Sequence, residues 1–456
     1  MKDHLTEGSV GRAVLRFSLP YLLSCLLQSL YGMADLYVMG RYADTAGTTA
    51  VSVGSQVMHV LTVLIMGLAM GTTVTTARAK GAEAGEGNRT EAREVCRAVG
   101  TSVTLFGGVS LGLTVVMLCM VKPVVAFMAT PTDAVSACAA YLTVCFIGIP
   151  CITAYNIISA IYRAAGDPLT PLFFVGTACA VNVGLDFLLT GVCGLGAAGV
   201  ALGTVLAQAV SAVLAVVHTR RTGFIRLKRE DLLPDRAVIK EILRIGLPVM
   251  IQDGLIQVTF IVITIIANRR GLDDAAAVGI VEKMIGLFFM VPSAMLSTAS
   301  ALCSMCFGAG KDKRAGEILR FCVCAALAWG LEISVLMQFA AEGFVGLFSD
   351  SPSVVRLGGT YLRGYIWDCA MAGVHFSFSG YFCARGRSEL SFIHNLLSML
   401  CVRIPGAYFG SLYFPDTLFP MGMASTCGSL LSVVICAVFL LRMTGREKSP
   451  LQSSRL

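Results

Sequence analysis

The sequence is poor in charge. Charged residues occupy 14% of its 456 positions and apolar residues 56%. Soluble domains carry about 25% charge, so an ordinary water-soluble globule is excluded. Zinc-ligand patterns are missing as well. The 17 cysteines are scattered through apolar runs, as at Cys119, Cys145, Cys303 and Cys401. The CxxC formed by Cys303 and Cys306 has no second pair and no histidine pair nearby, which argues against a zinc site or a disulfide framework. The opening MKDHLTEGSVGRAVLRF is polar, and no small-residue cleavage site follows a short apolar core; no removable signal peptide is expected. The outer loops are short and poor in the paired histidines or acid-rich clusters that a lipid-processing enzyme would need. Pore-loop repeats and charged rings, which a channel would need, are also lacking.

Long apolar runs are what the sequence has instead. A bilayer is crossed by about 20 such residues, and runs of this kind are centred near residues 27, 61, 108, 147, 180, 207, 255, 290, 333, 369, 400 and 430. They predict an all-α integral membrane protein with twelve transmembrane helices and no enzymatic activity. The 47 glycines suit it, because small residues let helices approach closely in lipid. Lys and Arg concentrate in residues 78–97, 220–244, 308–320 and 442–456. The positive-inside tendency therefore places both termini in the cytoplasm, with a bacterial plasma membrane as the expected location. The net charge of +7 follows from this asymmetry and implies no nucleic-acid partner; a monomer is expected.

The two halves repeat. Leu19-Pro20 recurs as Leu247-Pro248, AVSVG (50–54) as AAAVG (275–279), PTDAVSACAAYL (131–142) as PSVVRLGGTYL (352–362), and AAGDP (164–168) as ARGRS (384–388), all offset by about 220–228 positions. Six spans per half make the repeats parallel, with a pseudo-two-fold axis along the membrane normal. Transporters built this way bind substrate near the midplane and alternate access. The expected division is a six-helix lobe at 1–222, a basic cytoplasmic linker at 223–237, a second six-helix lobe at 238–444 and a cytoplasmic tail at 445–456.

Acids inside these spans stand out, since one at the bilayer centre costs roughly 2.5–3.5 kcal/mol on insertion scales and marks an ion or substrate path by default. Asp35 sits in the first apolar run, on one helical face with Gln28 and Tyr31. Asn182 and Asp186, at i and i+4, share a face of the fifth. Thr204 and Gln208 share a face of the sixth, beside the Gly199–Gly203 small-residue surface. At the corresponding places in the second half stand Ile263, Val402 and Gly406. A purely architectural acid would be expected twice, so the asymmetry favours function. Two carboxylates with an amide and a hydroxyl form an oxygen-rich set suited to a hard cation, or to a shared proton. His59 and His375 fall in mid-span and read as hydrogen-bonding groups.

With these residues in place, the chain resembles the multidrug and toxic compound extrusion (MATE) transporters from about Gly11 to Thr444. The resemblance is carried by an ordered set: Pro20 and Asp35, the Gly-Ala turns after the second span of each half, Tyr141, Asn156, Arg163 to Asp167, Asn182 with Asp186, and Thr204. It implies a two-lobe exporter exchanging H⁺ or Na⁺ for an organic cation or drug, with no other cofactor. In the DinF-like branch the cation site lies in the first lobe; Asp35, Asn182, Asp186 and Thr204 match it, and would bind Na⁺ if that ion is used. Tyr141 and Asn156 match its neighbours, and Pro20 matches a proline at which the first helix bends. The NorM-like branch keeps acids in the seventh and tenth helices. Here Val374 or His375 stands at the tenth-helix position and Asp253 only neighbours the seventh. The branch pattern thus leaves open whether Asp253, Asp368 or His375 forms a second ion site.

A cavity adapting to varied drugs needs apolar and aromatic walls with flexible methionines. Gln28, Tyr31, Met33, Met58, Met66, Met250, Gln257, Met284, Phe288 and Met290 are its candidates. The rival within the same fold superfamily is a flippase for a lipid-linked sugar or other lipid. It would need a strongly basic cavity, whereas the mid-span bases are few, chiefly Lys283 and Arg403.

Overall fold

The computed structural model describes residues 7–86, 89–225 and 227–447. His4, most of the tail expected at 445–456, Gly87-Asn88 of the first basic loop and Arg226 of the linker lie outside the described residues. In chain order the helices are α1 (Val10–Tyr42), α2 (Thr45–Glu86), α3 (Arg89–Cys119), α4 (Val121–Phe127), α5 (Val135–Ile147), α6 (Ile149–Ala164), α7 (Leu169–Asp186) and α8 (Gly196–Thr222). There follow α9 (Arg236–Asn268), α10 (Leu272–Phe288), α11 (Met290–Gly308), α12 (Asp312–Gly346), α13 (Pro352–Tyr365), α14 (Trp367–Ala384), α15 (Ser388–Ser398), α16 (Ile404–Tyr413) and α17 (Phe419–Glu447).

Among the described residues ten helices are each long and apolar enough to cross a membrane, and the α5–α6 pair, bent by 48°, makes an eleventh. Three expected span centres, near 147, 290 and 369, coincide with junctions between helices: α5 with α6, α10 with α11, and α13 with α14. The last pair fails the test of length and apolarity for a physical reason. Nearly every side chain of α14 is buried, Asp368, His375, Ser377 and Ser379 among them; a helix enclosed by protein can carry polar groups that lipid would not accept.

Two compact units are present, one of residues 1–250 with 304–312, the other of residues 251–303 with 313–456. The repeat reappears in their backbone. α6 ends in a turn where Gly166 N donates to Arg163 O and Asp167 N to Tyr162 O, and α14 ends with Gly386 N donating to Cys383 O and Arg387 N to Phe382 O. Both glycines are left-handed, at φ +85° and +73°, the conformation that closes a helix at little steric cost. A π-helical turn follows α7 at Phe187–Val192, and another follows α15 at Met399–Arg403. Prolines lie inside α1 (Pro20) and α9 (Pro248).

Lipid tails are as apolar as leucine, so helix association here relies on close packing rather than on expulsion of water. Reciprocal glycine contacts supply it. In the first unit a Cβ on Gly71 would lie 2.1 Å from the Ile242 carbonyl oxygen, and one on Gly246 would lie 2.4 Å from that of Leu68. In the second unit Gly364 meets the Phe419 carbonyl and Gly422 that of Tyr361, each at 2.5 Å from the added carbon. The segment after α8 is fixed to α3: Thr104 Oγ1 donates to Leu232 O at 2.6 Å, and Arg97 pairs with Asp235.

Gly71→Val and Gly422→Val should each destabilise the protein by about 1–3 kcal/mol, the usual cost of overpacking. In detergent this reads as a clearly lower unfolding midpoint. Gly279→Val is the control, because an added carbon there meets nothing within 4 Å. Equal midpoints for all three variants would refute the packing account.

Candidate functional site

Four of the six residues expected around a cation meet inside the first unit. α1 contributes Asp35, α7 contributes Asn182 and Asp186, and α8 contributes Thr204. Asn182 Nδ2 donates to Thr204 Oγ1 at 3.4 Å, and Thr204 Oγ1 donates to Asp35 Oδ2 at 3.5 Å. The carboxyls of Asp186 and Asp35 are near enough to interact electrostatically. Burial is close to complete: Asp35 is 6% exposed, Asn182 1% and Asp186 0%. One helical turn from Asp35, Tyr31 OH accepts a long hydrogen bond from Gln208 Nε2 at 3.5 Å.

The approach of the two acids depends on a residue without a side chain. A Cβ on Gly203 would lie 2.3 Å from Asp186 Oδ1, so α8 leaves at that point the space the carboxyl fills. Gly199, one turn earlier, lets α8 come within 2.8 Å of Thr190 Oγ1, measured from the added carbon. The Gly199–Gly203 surface read from the sequence as a packing feature thus also shapes the site. In the second unit the pattern is exchanged: Gly406, the counterpart of Asp186, faces Ala424, and a Cβ on it would sit 2.9 Å from the Ala424 Cβ.

Acceptors outnumber donors in the cluster. Asp35 Oδ1, both carboxyl oxygens of Asp186 and Asn182 Oδ1 are buried without a hydrogen-bond donor. Among the described residues, no Lys, Arg or His forms an ion pair with either acid. Two carboxylates enclosed in a medium of low dielectric repel strongly and have lost their water. Charge balance at such a place requires a proton or a cation among those oxygens. The donor set of carboxylate, amide and hydroxyl oxygens fits a hard cation such as Na⁺.

The other expected residues are distributed differently. Tyr141 is 3% exposed and packs on α2, where a Cβ on Gly54 would come within 2.3 Å of its ring; the AVSVG motif alone does not link Gly54 with Tyr141. Asn156 does not join the acids: its Nδ2 donates to Ile152 O, one turn back in α6, at 2.9 Å. With Gln28, Met66, Tyr155 and Arg163 it lines a separate cavity of about 20 Å³, room for a water and too little for an organic cation. Met33 is 57% exposed on the face of α1 opposite Asp35. Met58 packs beside the Tyr141 cluster and Met250 beside Leu68 and Ile242. In the second unit Met284 is in the core, with Phe288 against it; Gln257 and Met290 are half-buried.

The acids of the second unit are placed otherwise. Asp368, fully buried, accepts from Arg403 Nη2 at 3.2 and 3.1 Å. The same nitrogen donates to Ser429 Oγ at 2.5 Å, and His375 Nε2 lies 3.2 Å from that hydroxyl. Asp368 and Arg403 are 35 positions apart, so no local spacing in the sequence links them. Asp253 is half-buried, and its neighbour Gln252 accepts from Ser391 Oγ at 2.8 Å. Glu282 Oε2 accepts from Thr264 Oγ1 at 3.2 Å.

Comparison with known proteins agrees with this architecture. The MatE family model matches residues 20–188 and 248–409. The chain is 26% identical over 446 residues to the probable multidrug resistance protein YpnP of Bacillus subtilis, covering 97% of each. It is 22% identical over 455 residues to the multidrug export protein MepA of Staphylococcus aureus, again covering 97% of each. Among solved structures, a MATE transporter in its straight conformation superposes with a TM-score of 0.89 at 20% identity, covering 98% of both chains.

Gly203→Ala should push the Asp186 carboxyl out of the cluster. A ligand that binds the folded protein raises its unfolding midpoint, so the rise caused by Na⁺ or by acidification in the wild type should vanish in this variant. A full rise in Gly203→Ala would show that the cluster is not where the ion binds.

Proposed function

The chain belongs to the MatE family of membrane transporters, and on that premise we propose that it exports organic cations or drugs in exchange for H⁺ or Na⁺ taken up at the Asp35–Asp186 cluster. The observation that carries this reading is the meeting of two buried acids and an amide oxygen, with no base paired to the acids among the described residues. Site and cargo are linked as competing ligands: the ion neutralises the acids and releases the substrate outward, and its departure restores negative charge that attracts the next cationic substrate. Asp35, Asn182, Asp186 and Thr204 hold the ion. Tyr141 supports the cluster from behind, and Asn156 acts one layer away, through the small cavity it shares with Gln28 and Met66.

Pro20 is the proposed hinge. Proline removes one backbone hydrogen bond from the helix interior, and Ser24 Oγ already donates to the Pro20 carbonyl at 2.9 Å. A bend there would move Gln28, Tyr31 and Asp35 together, since they share a face. The DinF-like assignment is favoured by the contrast between the units: the first has acids without a base, whereas Asp368 in the second is matched by Arg403. That pairing also weighs against a lipid-linked sugar as cargo, because the mid-span guanidinium that would meet a diphosphate is occupied. The lobes are proposed as 1–222 and 238–444, with a linker at 223–237, a monomeric state, a bacterial plasma membrane and both termini cytoplasmic.

Export of ethidium from right-side-out proteoliposomes under an imposed pH or Na⁺ gradient tests the proposal. Wild type should transport under one gradient, which names the ion. Asp35→Asn and Asp186→Asn should each lose about tenfold or more, the scale of coupling between linked sites, while remaining monodisperse. Undiminished transport by both variants would remove the cluster from coupling. A wild type that moves no cation under either gradient would overturn the multidrug reading.

A further inference from the structure

A second, larger cavity lies away from the acids. Its volume is about 830 Å³, within the range of small-molecule sites, and it is bounded by α3, α6, the end of α8 and the segment that follows. Val103, Phe106, Ile157, Ile158, Val216 and Leu232 supply apolar walls. It borders surface suited to lipid: Val103 of α3 is 41% exposed and Val213 and Val216 of α8 are 61% and 38% exposed. One end is different in character. There α8 finishes in Arg220 and Arg221, both of which line the cavity and are exposed. Among the described residues no carboxylate pairs with either. The acids of the adjoining segment are already engaged, Glu230 with Arg93 at 3.2 Å and Asp231 as acceptor from Lys228 N at 2.8 Å. Within the cavity, Tyr162 OH and Thr219 Oγ1 bond each other at 2.9 Å, whereas Thr153 Oγ1 is buried without a partner.

An apolar groove in a membrane span that ends at two unpaired guanidinium groups matches one common molecule in polarity from end to end. We propose that this groove binds an anionic glycerophospholipid, with the phosphate on Arg220 and Arg221, the ester region near Tyr162 and Thr219, and an acyl chain running along α3 and α6 toward Thr153. Basic pockets between transmembrane helices recognise anionic head groups in this way. The guanidinium fork can hold two phosphate oxygens at once. The wall formed by residues 229–232 is fixed to α3 through Leu232 and Asp231, the latter's carbonyl lying 2.1 Å from a Cβ built on Gly100. The groove is therefore a formed feature of the first unit. Bound lipid would brace α3, α6 and α8, leaving the acids of α1 and α7 untouched.

Native mass spectrometry of the full chain in mild detergent, incubated with equal amounts of phosphatidylglycerol and phosphatidylethanolamine, tests this. One phosphatidylglycerol per chain should survive activation that strips phosphatidylethanolamine, with a preference of about tenfold for two arginines near a phosphate. Arg220→Gln with Arg221→Gln should abolish the preference. Lys228→Gln with Arg229→Gln, in the same segment but outside the groove, should preserve it. Ala154→Trp, which fills the groove, should lower lipid retention, and glycerol 3-phosphate should fail to displace the lipid. Equal retention of the two lipids by wild type would overturn the proposal, as would an unchanged preference in the Arg220/Arg221 variant. Displacement by glycerol 3-phosphate would reduce the site to one for a free phosphate, and a second copy of the chain in place of lipid would make the groove an interface; either result also overturns it.

Discussion

Two acids enclosed together, with no base paired to either among the described residues, are the feature on which the rest of the first unit depends. Neither Asp35 nor Asp186 could be stable there as an isolated charge, so the helices carrying them have to create the environment that tolerates both. α8 does so by withholding a side chain at Gly203 and by presenting Thr204 to Asp35. α7 adds the Asn182 amide, oriented by its bond to that threonine. What remains is a set of oxygens lacking positive charge. Charge balance among those oxygens calls for a proton or a cation.

The two units solve the same packing problem with opposite chemistry. Their backbones share the capped turn at Gly166 and Gly386 and the π-helical turn after α7 and α15. Where the first unit has Asp186 facing Gly203, the second has Gly406 facing Ala424. Its own buried acid, Asp368, is neutralised by Arg403 and tied through Ser429 to His375. A buried ion pair of this kind is a costly way to gain stability, but breaking one partner away is costlier still. Asp368 in the second unit is thus matched by a base, whereas among the described residues Asp35 and Asp186 in the first are not.

The periphery obeys a different constraint. Away from the acids, the exposed surface of α3 and α8 is apolar because it faces lipid tails, and basic side chains are confined to the helix ends. The cavity between α3, α6 and α8 combines both zones. The segment after α8 closes its polar end, held in place by Thr104 and Arg97, so the same contacts that fix the connection also shape the groove.

Much of this was legible in the sequence. Apolar runs long enough to span, the bias of Lys and Arg, and the helical spacings of Gln28, Tyr31 and Asp35 (i, i+3, i+7) and of Asn182 and Asp186 (i, i+4) are local properties, and a helix converts local spacing directly into a shared face. Met33 on the opposite face of α1 from Asp35 follows from the same rule. The contacts between helices were not legible. That Gly203 makes room for Asp186, that Gly54 supports Tyr141, that Asn156 turns to its own helix and that Asp368 finds Arg403 all depend on how helices distant in sequence are packed. The sequence by itself determined which residues are polar within the membrane and which face of each helix they occupy. Only the tertiary structure decided which of those residues meet, because the distance between two helices is set by the side chains along the whole interface, and a single glycine in it can decide whether a carboxyl fits.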